Sequence, residues 1–371
     1  MKNTIHIGID IRKYRDFGIG TYIQNLLDQF HRFSHDEMTL FTAPEDDPAL
    51  RTKYAGGTLT TLINRSPKYS IRELVTLSAQ AKARRLDVLH CPHYTLPVGL
   101  RCKSVVTIHD LIHLRFPEYF SFSQRLYAKM MIGHACAHAD RIIVDSQFTQ
   151  QDIEREFPKA QGKIETIHLG VSERFARRLG EEENAEFLKR SGLTRPYLFY
   201  VGSAKPHKNI GVLLEAYKRS GLRSEVDLAS AGEPLSTNPE AARYYQDASL
   251  RTSLKELGRI DDDALASAYQ NALAVVLPSR YEGFGFSVIE AMKAGVPAIG
   301  ARAASIPEVM GDAGLLFDPD SPDELAEILQ TIVSDGALRR TLIEQGSRRV
   351  SQFTWDVCAR KTMEAYRKVL E

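Results

Sequence analysis

Cysteine, tryptophan and net charge are all scarce in this chain. Its 371 residues hold four cysteines, Cys91, Cys102, Cys136 and Cys358, and no two of them form a Cys-x-x-Cys pair. That spacing excludes a disulfide-stapled scaffold and a paired-cysteine zinc module, and it fits free thiols in a reducing compartment. The formal net charge is +1, with basic and acidic residues interleaved through both halves. No electrostatic footprint for nucleic acid results, and none is expected as a partner. Nowhere does an apolar run reach the roughly 20 residues of a membrane span. The N-terminal MKNTIHIGID passes straight into an alternating strand pattern without a basic and then apolar leader. The expectation is a cytoplasmic protein, soluble or held peripherally at the inner face of a membrane. Internal repeats and low-complexity tracts are also missing.

What is present is ordinary for a soluble globular chain: 43% apolar and 26% charged residues, at a length that suggests two domains. The most informative stretch is LPSRYEGFGFSVIEAMKAGVPAIG, residues 277–300. The apolar run Ala274–Leu277 ends at Pro278, a glycine-bearing loop follows, and a helix-period segment is closed by Gly295 and Pro297. Glu282 lies in the loop and Glu290 eight residues on, two turns into the helix at ~1.5 Å per residue. Gly283, Gly285 and Ser287 let a ligand approach the backbone, and the N–H groups of a helix start favour an anion. Two carboxylates flanking an anion site suit a nucleotide sugar, because they accept hydrogen bonds from its hydroxyls on either side of the diphosphate. The bland alternative is two surface glutamates. Val288, Ile289, Ala291 and Met292 speak against it, since they leave the helix little exposed face.

Elsewhere, strand and helix patterns alternate as in a parallel α/β chain. Ile5, Ile7, Ile9 and Ile11 mark a first strand, and Gly18 and Gly20 follow it in a turn. That glycine pair alone is a weak signal, since it lacks the third glycine of the dinucleotide fingerprint. The strand 104–108 ends at His109, and strand ends are where open α/β sheets place ligands. The histidine pairs 109/113 and 134/138 have metal-like spacing, but neither carries the glutamate of His-Glu-x-x-His, and no metal is expected. The segment 123–139, with Phe122 just ahead of it, carries Leu126, Tyr127, Met130 and Met131 with Arg125 and Lys129. It reads as a core-facing stripe, or alternatively as a basic amphipathic surface for a lipid-linked acceptor. After a charged segment at 170–195 a second α/β set begins with PYLFYVGSAKPHKN, where Lys205, His207 and Lys208 can neutralise a diphosphate or form a solvated basic turn. Ser305 and Ser321 each open a Ser-x-x-Glu capping box.

The stretch EGFGFSVIEAMKAGVPAIG resembles the Glu-x7-Glu segment of the family 4 retaining glycosyltransferases, and SIPEVMGDAGLLFDPDSPDELAEIL resembles its continuation to residue 329. The resemblance implies the GT-B fold, an α/β architecture of two Rossmann-like domains with parallel sheets facing across a cleft. Residues 1–185 would form the acceptor-binding domain, 186–355 the nucleotide-sugar-binding domain, and 356–371 a helix crossing back. The implied activity is metal-independent transfer of a hexose, with retained configuration, to a glycan or lipid-linked acceptor in surface polysaccharide synthesis. Its implied catalytic residues are His109, Lys208 and Glu282. The donor site takes in Gly18 and Gly20, the loop Gly202, Ser203, Lys205 and Lys208, and the backbone at Arg259 and Ile260 against the base. It continues through Glu282, Gly283, Phe284, Gly285, Phe286, Ser287 and Val288 to Glu290 at the ribose. Ser203 stands where the family usually has a phosphate-binding arginine, and Lys205 is the candidate substitute. FYVGSAKPHKN and VVTIHDLIHLRFPEYF look most like mannosyltransferase members, which favours GDP-mannose over UDP-glucose. No cofactor is implied beyond the nucleotide-sugar substrate. Alternatives are a UDP-glucose or UDP-N-acetylhexosamine transferase, a sugar-nucleotide epimerase and a noncatalytic nucleotide-sugar-binding protein. A nicotinamide dehydrogenase lacks its glycine fingerprint here.

Overall fold

The computed structural model describes residues 4–178 and 180–371; residues 1–3, with which the first expected domain begins, and residue 179 lie outside the described residues. The chain forms two compact units, Met1–Gly170 with Trp355–Glu371, and Val171–Thr354.

The first unit is built on seven parallel strands: β1 (His6–Asp10), β2 (Glu37–Thr42), β3 (Leu59–Ile63), β4 (Val88–Cys91), β5 (Lys103–Ile108), β6 (Arg141–Val144) and β7 (Ile164–Thr166). Their spatial order is β3-β2-β1-β4-β5-β6-β7. Helices cover a parallel sheet on both faces, so its strands are apolar nearly throughout, as in Val105, Val106 and Ile108 or Ile142, Ile143 and Val144. Ile7 and Ile9 in β1 and Ile5 and Ile11 on either side of it are buried, and Gly8 leaves room for a neighbour: a Cβ there would lie 2.3 Å from Leu86 Cδ1. The helix Phe17–Phe33 buries Tyr22, Ile23, Leu26, Leu27 and Phe30. Against it packs the C-terminal helix Trp355–Lys368, with Tyr366 fully buried and its ring 6.1 Å from that of Phe30. The Tyr366 hydroxyl lies 2.6 Å from His90 Nδ1, and His90 Nε2 lies 2.8 Å from Thr107 Oγ1. Burial, helped by the charge on His109, pushes His90 down to about 3, so the ring is neutral.

The second unit has six parallel strands: β8 (Tyr197–Gly202), β9 (Asp227–Gly232), β10 (Leu254–Glu256), β11 (Ala274–Leu277), β12 (Ala298–Ala301) and β13 (Gly314–Phe317), in the order β10-β9-β8-β11-β12-β13. Each sheet therefore has one point where the strand order reverses, between β1 and β4 and between β8 and β11. Such a point leaves a crevice at the carboxyl ends of the two strands.

Four expectations change. The units divide at Gly170, ahead of the boundary read at 185, because the turn Glu173–Ala176 buries Phe175 against Tyr269 of the second unit, with rings 5.2 Å apart. The Gly18–Gly20 turn is the first turn of the helix Phe17–Phe33. On the helix Phe122–His138 the buried face is Ala128, Met131, Ile132, Ala135 and Cys136, while Phe122, Leu126 and Met130 are exposed, so the stripe does not face the core as a whole. Ser321 caps its helix by accepting from the Glu324 N–H, whereas the Ser305 hydroxyl turns away from its helix and donates to the Glu282 carbonyl.

Candidate functional site

In the second unit the predicted residues collect at the reversal point. Lys208 follows β8, Glu282 follows β11, and the two side chains form an ion pair, Nζ to Oε1 2.7 Å, each about one-fifth exposed or less. The sequence assigns them separate tasks, phosphate and sugar; the structure makes each the other's counter-charge. The loops that carry them are tied together. The Arg280 N–H donates to the His207 carbonyl at 2.8 Å, Ser305 Oγ donates to the Glu282 carbonyl at 2.9 Å, and Asn209 Nδ2 donates to the Pro319 carbonyl at 2.8 Å. Asn209 takes a left-handed backbone, φ +55°, to start the helix Ile210–Ser220 immediately after Lys208. Burial and the neighbouring Lys208 push His207 down to about 4, so it is a neutral part of the loop and adds no positive charge.

Gly285, at φ +94°, turns the chain into the helix Phe286–Ala294. No side chain caps that helix start, and the Val288 N–H donates to the Gly285 carbonyl at 3.1 Å; the positive end of the helix is where an anion is favoured. Phe284 and Val288 are buried and fix the loop, with Phe284 edge-on to Phe286 at 5.8 Å, while Gly283, Phe286 and Ser287 are partly exposed along it. Glu290 sits in the second turn and accepts a 2.5 Å hydrogen bond from the Tyr269 hydroxyl. Burial raises its pKa, and Tyr269 and Arg174 offset only part of the shift. Tyr269, on the helix Asp262–Gln270, was not foreseen, since nothing in its local sequence points to residue 290. Around Gly202 and Ser203 the Tyr200 hydroxyl donates to the Ser203 carbonyl, and Glu233 accepts from the Ala204 N–H. Lys205 is exposed beside them, and Arg259 and Ile260 lie in the turn after β10, Arg259 exposed.

In the first unit His109 follows β5. Its Nδ1 lies 2.6 Å from Asp145 Oδ2 and its Nε2 3.3 Å from the Pro92 carbonyl. Tyr22 meets the ring edge-on at 5.2 Å and places its hydroxyl 3.1 Å from Thr107. Asp145 was also missed. The available signal was its place directly after β6, matching that of His109 after β5. A Cβ on Gly20 would lie 2.5 Å from the Tyr14 carbonyl, so a larger residue does not fit, while Gly18 faces open space.

Two Rossmann-like units of parallel sheet, with polar residues gathered at the strand ends, have the architecture of the GT-B glycosyltransferases. Residues 18–175 match the model described as Glycosyltransferase Family 4, and residues 181–349 that of Glycosyl transferases group 1. The O-antigen chain mannosyltransferase B of Escherichia coli is 31% identical over 283 residues, 76% of this chain and 74% of that protein. Among solved structures, the sucrose-phosphate synthase of Thermosynechococcus elongatus superposes with a TM-score of 0.78 at 21% identity, covering 98% of each chain. Anabaena Alr3699/HepE, solved in complex with UDP-glucose, gives 0.78 at 17% identity over 98% of this chain and 100% of that one. The chain belongs to glycosyltransferase family 4, and within it resembles the mannosyltransferases.

Proposed function

We propose that this protein transfers mannose from GDP-mannose, with retained configuration and without a metal, to a hydroxyl of a glycan or lipid-linked acceptor in surface polysaccharide synthesis. The observation that carries the reading is the Lys208–Glu282 pair beside an uncapped helix start at the strand reversal. Lys208 and the leading N–H groups of that helix take the diphosphate and neutralise the leaving group as charge develops. Lys205 assists in place of the family's arginine. Glu282, released from Lys208, and the Phe284–Gly285 backbone hold sugar hydroxyls, and Glu290 holds the ribose. His109 serves the donor sugar near the reacting carbon. The step is a front-face displacement through an oxocarbenium-like state. Mannose is supported by the Escherichia coli relative, named for O-antigen chain mannosyl transfer.

The test is a thermal-shift panel with GDP, UDP and ADP, followed by hydrolysis of the matching sugar nucleotides and proton NMR of the released sugar's anomer. Stabilisation by GDP, release of mannose and a first-formed α-anomer are expected. A shift with UDP alone moves the assignment to a glucosyl or N-acetylhexosaminyl donor. Activity that survives EDTA supports metal independence.

Peripheral membrane contact belongs to the same proposal. No helix among the described residues is long and apolar enough to cross a membrane. The helix Phe122–His138, however, exposes Phe122, Leu126 and Met130 at one-turn intervals, carries Arg125 and Lys129, and contains no acidic residue. Such a face suits an anionic bilayer. Cosedimentation with vesicles containing phosphatidylglycerol, lost in a Leu126→Asp, Met130→Asp double variant, is the expected result.

A further inference from the structure

Both ring nitrogens of His109 face acceptors. The Pro92 carbonyl at 3.3 Å cannot donate, so Nε2 carries a proton. The 2.6 Å contact between Nδ1 and Asp145 Oδ2 holds a second proton. That proton belongs on the ring, because imidazole is the stronger base by roughly 2.6 pKa units. Asp145 is 3% exposed and its Oδ1 has no hydrogen-bond partner among the described residues, so the His109 ring is what meets its charge.

We propose that Asp145 is a positioning residue that holds His109 as an imidazolium, so that His109 meets the donor sugar as a hydrogen-bond donor and not as a base. The inference rests on the assignment of His109 to the sugar made above. The pairing has a chemical purpose. A lone cation next to an oxocarbenium-like centre raises its energy, whereas the His109–Asp145 couple carries no net charge and keeps a proton on Nε2, which the Pro92 carbonyl holds only at 3.3 Å and a sugar hydroxyl can share.

The surrounding groups are compatible with this state. Tyr22 from the helix Phe17–Phe33 lies edge-on, His90 of β4 is neutral, and His93 after β4 is held well below the ordinary imidazole value by burial and by the positive charges of Lys13 and His109. Asp110 beside His109 raises its affinity for the proton. His113 adds repulsion at His93, His168 faces Asp145, and Cys358 on the C-terminal helix stays a thiol because burial pushes it up. Burial alone would drive His109 toward the neutral form. The Asp145 carboxylate and its hydrogen bond outweigh that, and the net direction is upward.

The sign of the test follows. With the Asp145 carboxylate removed, only Asp110 and the Pro92 carbonyl are left against burial, the largest of the causes, and the ring gives up its proton at neutral pH. Full-length protein with ¹⁵N-labelled histidine is titrated by NMR, with His109→Gln assigning the resonance. In the wild type both ring nitrogens of His109 are protonated at pH 7; in Asp145→Asn, which keeps the side chain's size, the ring is neutral at that pH. In hydrolysis of GDP-mannose, Asp145→Asn lowers kcat at pH 7 on the order of 100-fold with little change in KM, and the deficit shrinks as the pH is lowered. An unchanged His109 titration in Asp145→Asn overturns the proposal, as does a kcat deficit of equal size at every pH. If His109→Gln turns over normally while the titration moves as expected, the role of His109 at the sugar fails and the Asp145 assignment stands.

Discussion

The two glutamates of the Glu-x7-Glu segment answer to different neighbours, and their substitutions should read out differently. Glu290 is half-buried and bonded to Tyr269, so Glu290→Ala removes a charged acceptor from the proposed ribose position and should weaken nucleotide binding by about 10-fold or more, measured by calorimetry. Tyr269→Phe leaves the carboxylate in place without its donor. It should cost about 1–3 kcal/mol in a denaturant melt, and it should raise the Glu290 pKa further. The sequence shows both glutamates because spacing and helix period are local properties. It does not show Tyr269 or Asp145, because each meets its partner only after the fold has packed two helices together, for Tyr269 and Glu290, or set two strands side by side, for Asp145 and His109.

Among the elements, the turn into the helix Phe286–Ala294 depends on Gly285. An alanine there would touch Leu277 only at 3.5 Å, so space is not the obstacle; the backbone at φ +94° and ψ 57° is. Gly285→Ala should therefore destabilise by about 1–2 kcal/mol, visible as a lowered melting temperature, and should weaken nucleotide binding as the leading N–H groups shift. The C-terminal helix supplies a second case. Tyr366→Phe removes the hydroxyl from His90 Nδ1 in a fully buried setting and should cost about 1–3 kcal/mol with no loss of nucleotide affinity, because neither residue is among those assigned to the donor. Most elements were legible from apolar periodicity. The Ser305 cap was not, since its hydroxyl serves the Glu282 carbonyl instead of its own helix. The helix Phe122–His138 misled for another reason: its small residues Ala128 and Ala135 take the core contacts, and its large ones stay outside.

At the level of the whole molecule, the first unit is discontinuous in sequence, closed by Trp355–Glu371. Ending the chain after Thr354 removes the buried Trp355, Cys358, Met363 and Tyr366, each contributing about 2 kcal/mol of apolar burial. The first unit should lose cooperative unfolding while the second keeps its own transition, as followed by calorimetry. Acid should act on both units. His90 in the first and His207 in the second are buried neutral, at about 3 and about 4, against an ordinary value near 6.5. The stability each contributes is complete above the unfolded value and falls as the pH drops below it, by about 2 kcal/mol per histidine at pH 5. Urea midpoints at pH 7 and 5, with His90→Asn as the comparison, measure it. Strand order was beyond the sequence, since parallel pairings are settled by which strands lie side by side across long connections. The place where the first unit ends was misread for a related reason, because Phe175 commits its segment to the second unit only once Tyr269 is there to receive it.

The Lys208–Glu282 pair has a bearing on turnover as well as on binding. A donor that enters does not meet a bare cation; it replaces a carboxylate, and that carboxylate stays nearby. On the assignment proposed above, Glu282 loses its hydroxyl partners once the sugar has left and competes again for Lys208, so the spent nucleotide would be displaced by a group the protein carries itself. Glu282→Gln should then slow departure of the nucleoside diphosphate even where it impairs sugar binding. Exit of product would be an intramolecular event, set by the separation of two side chains and insensitive to the concentration of anything in solution.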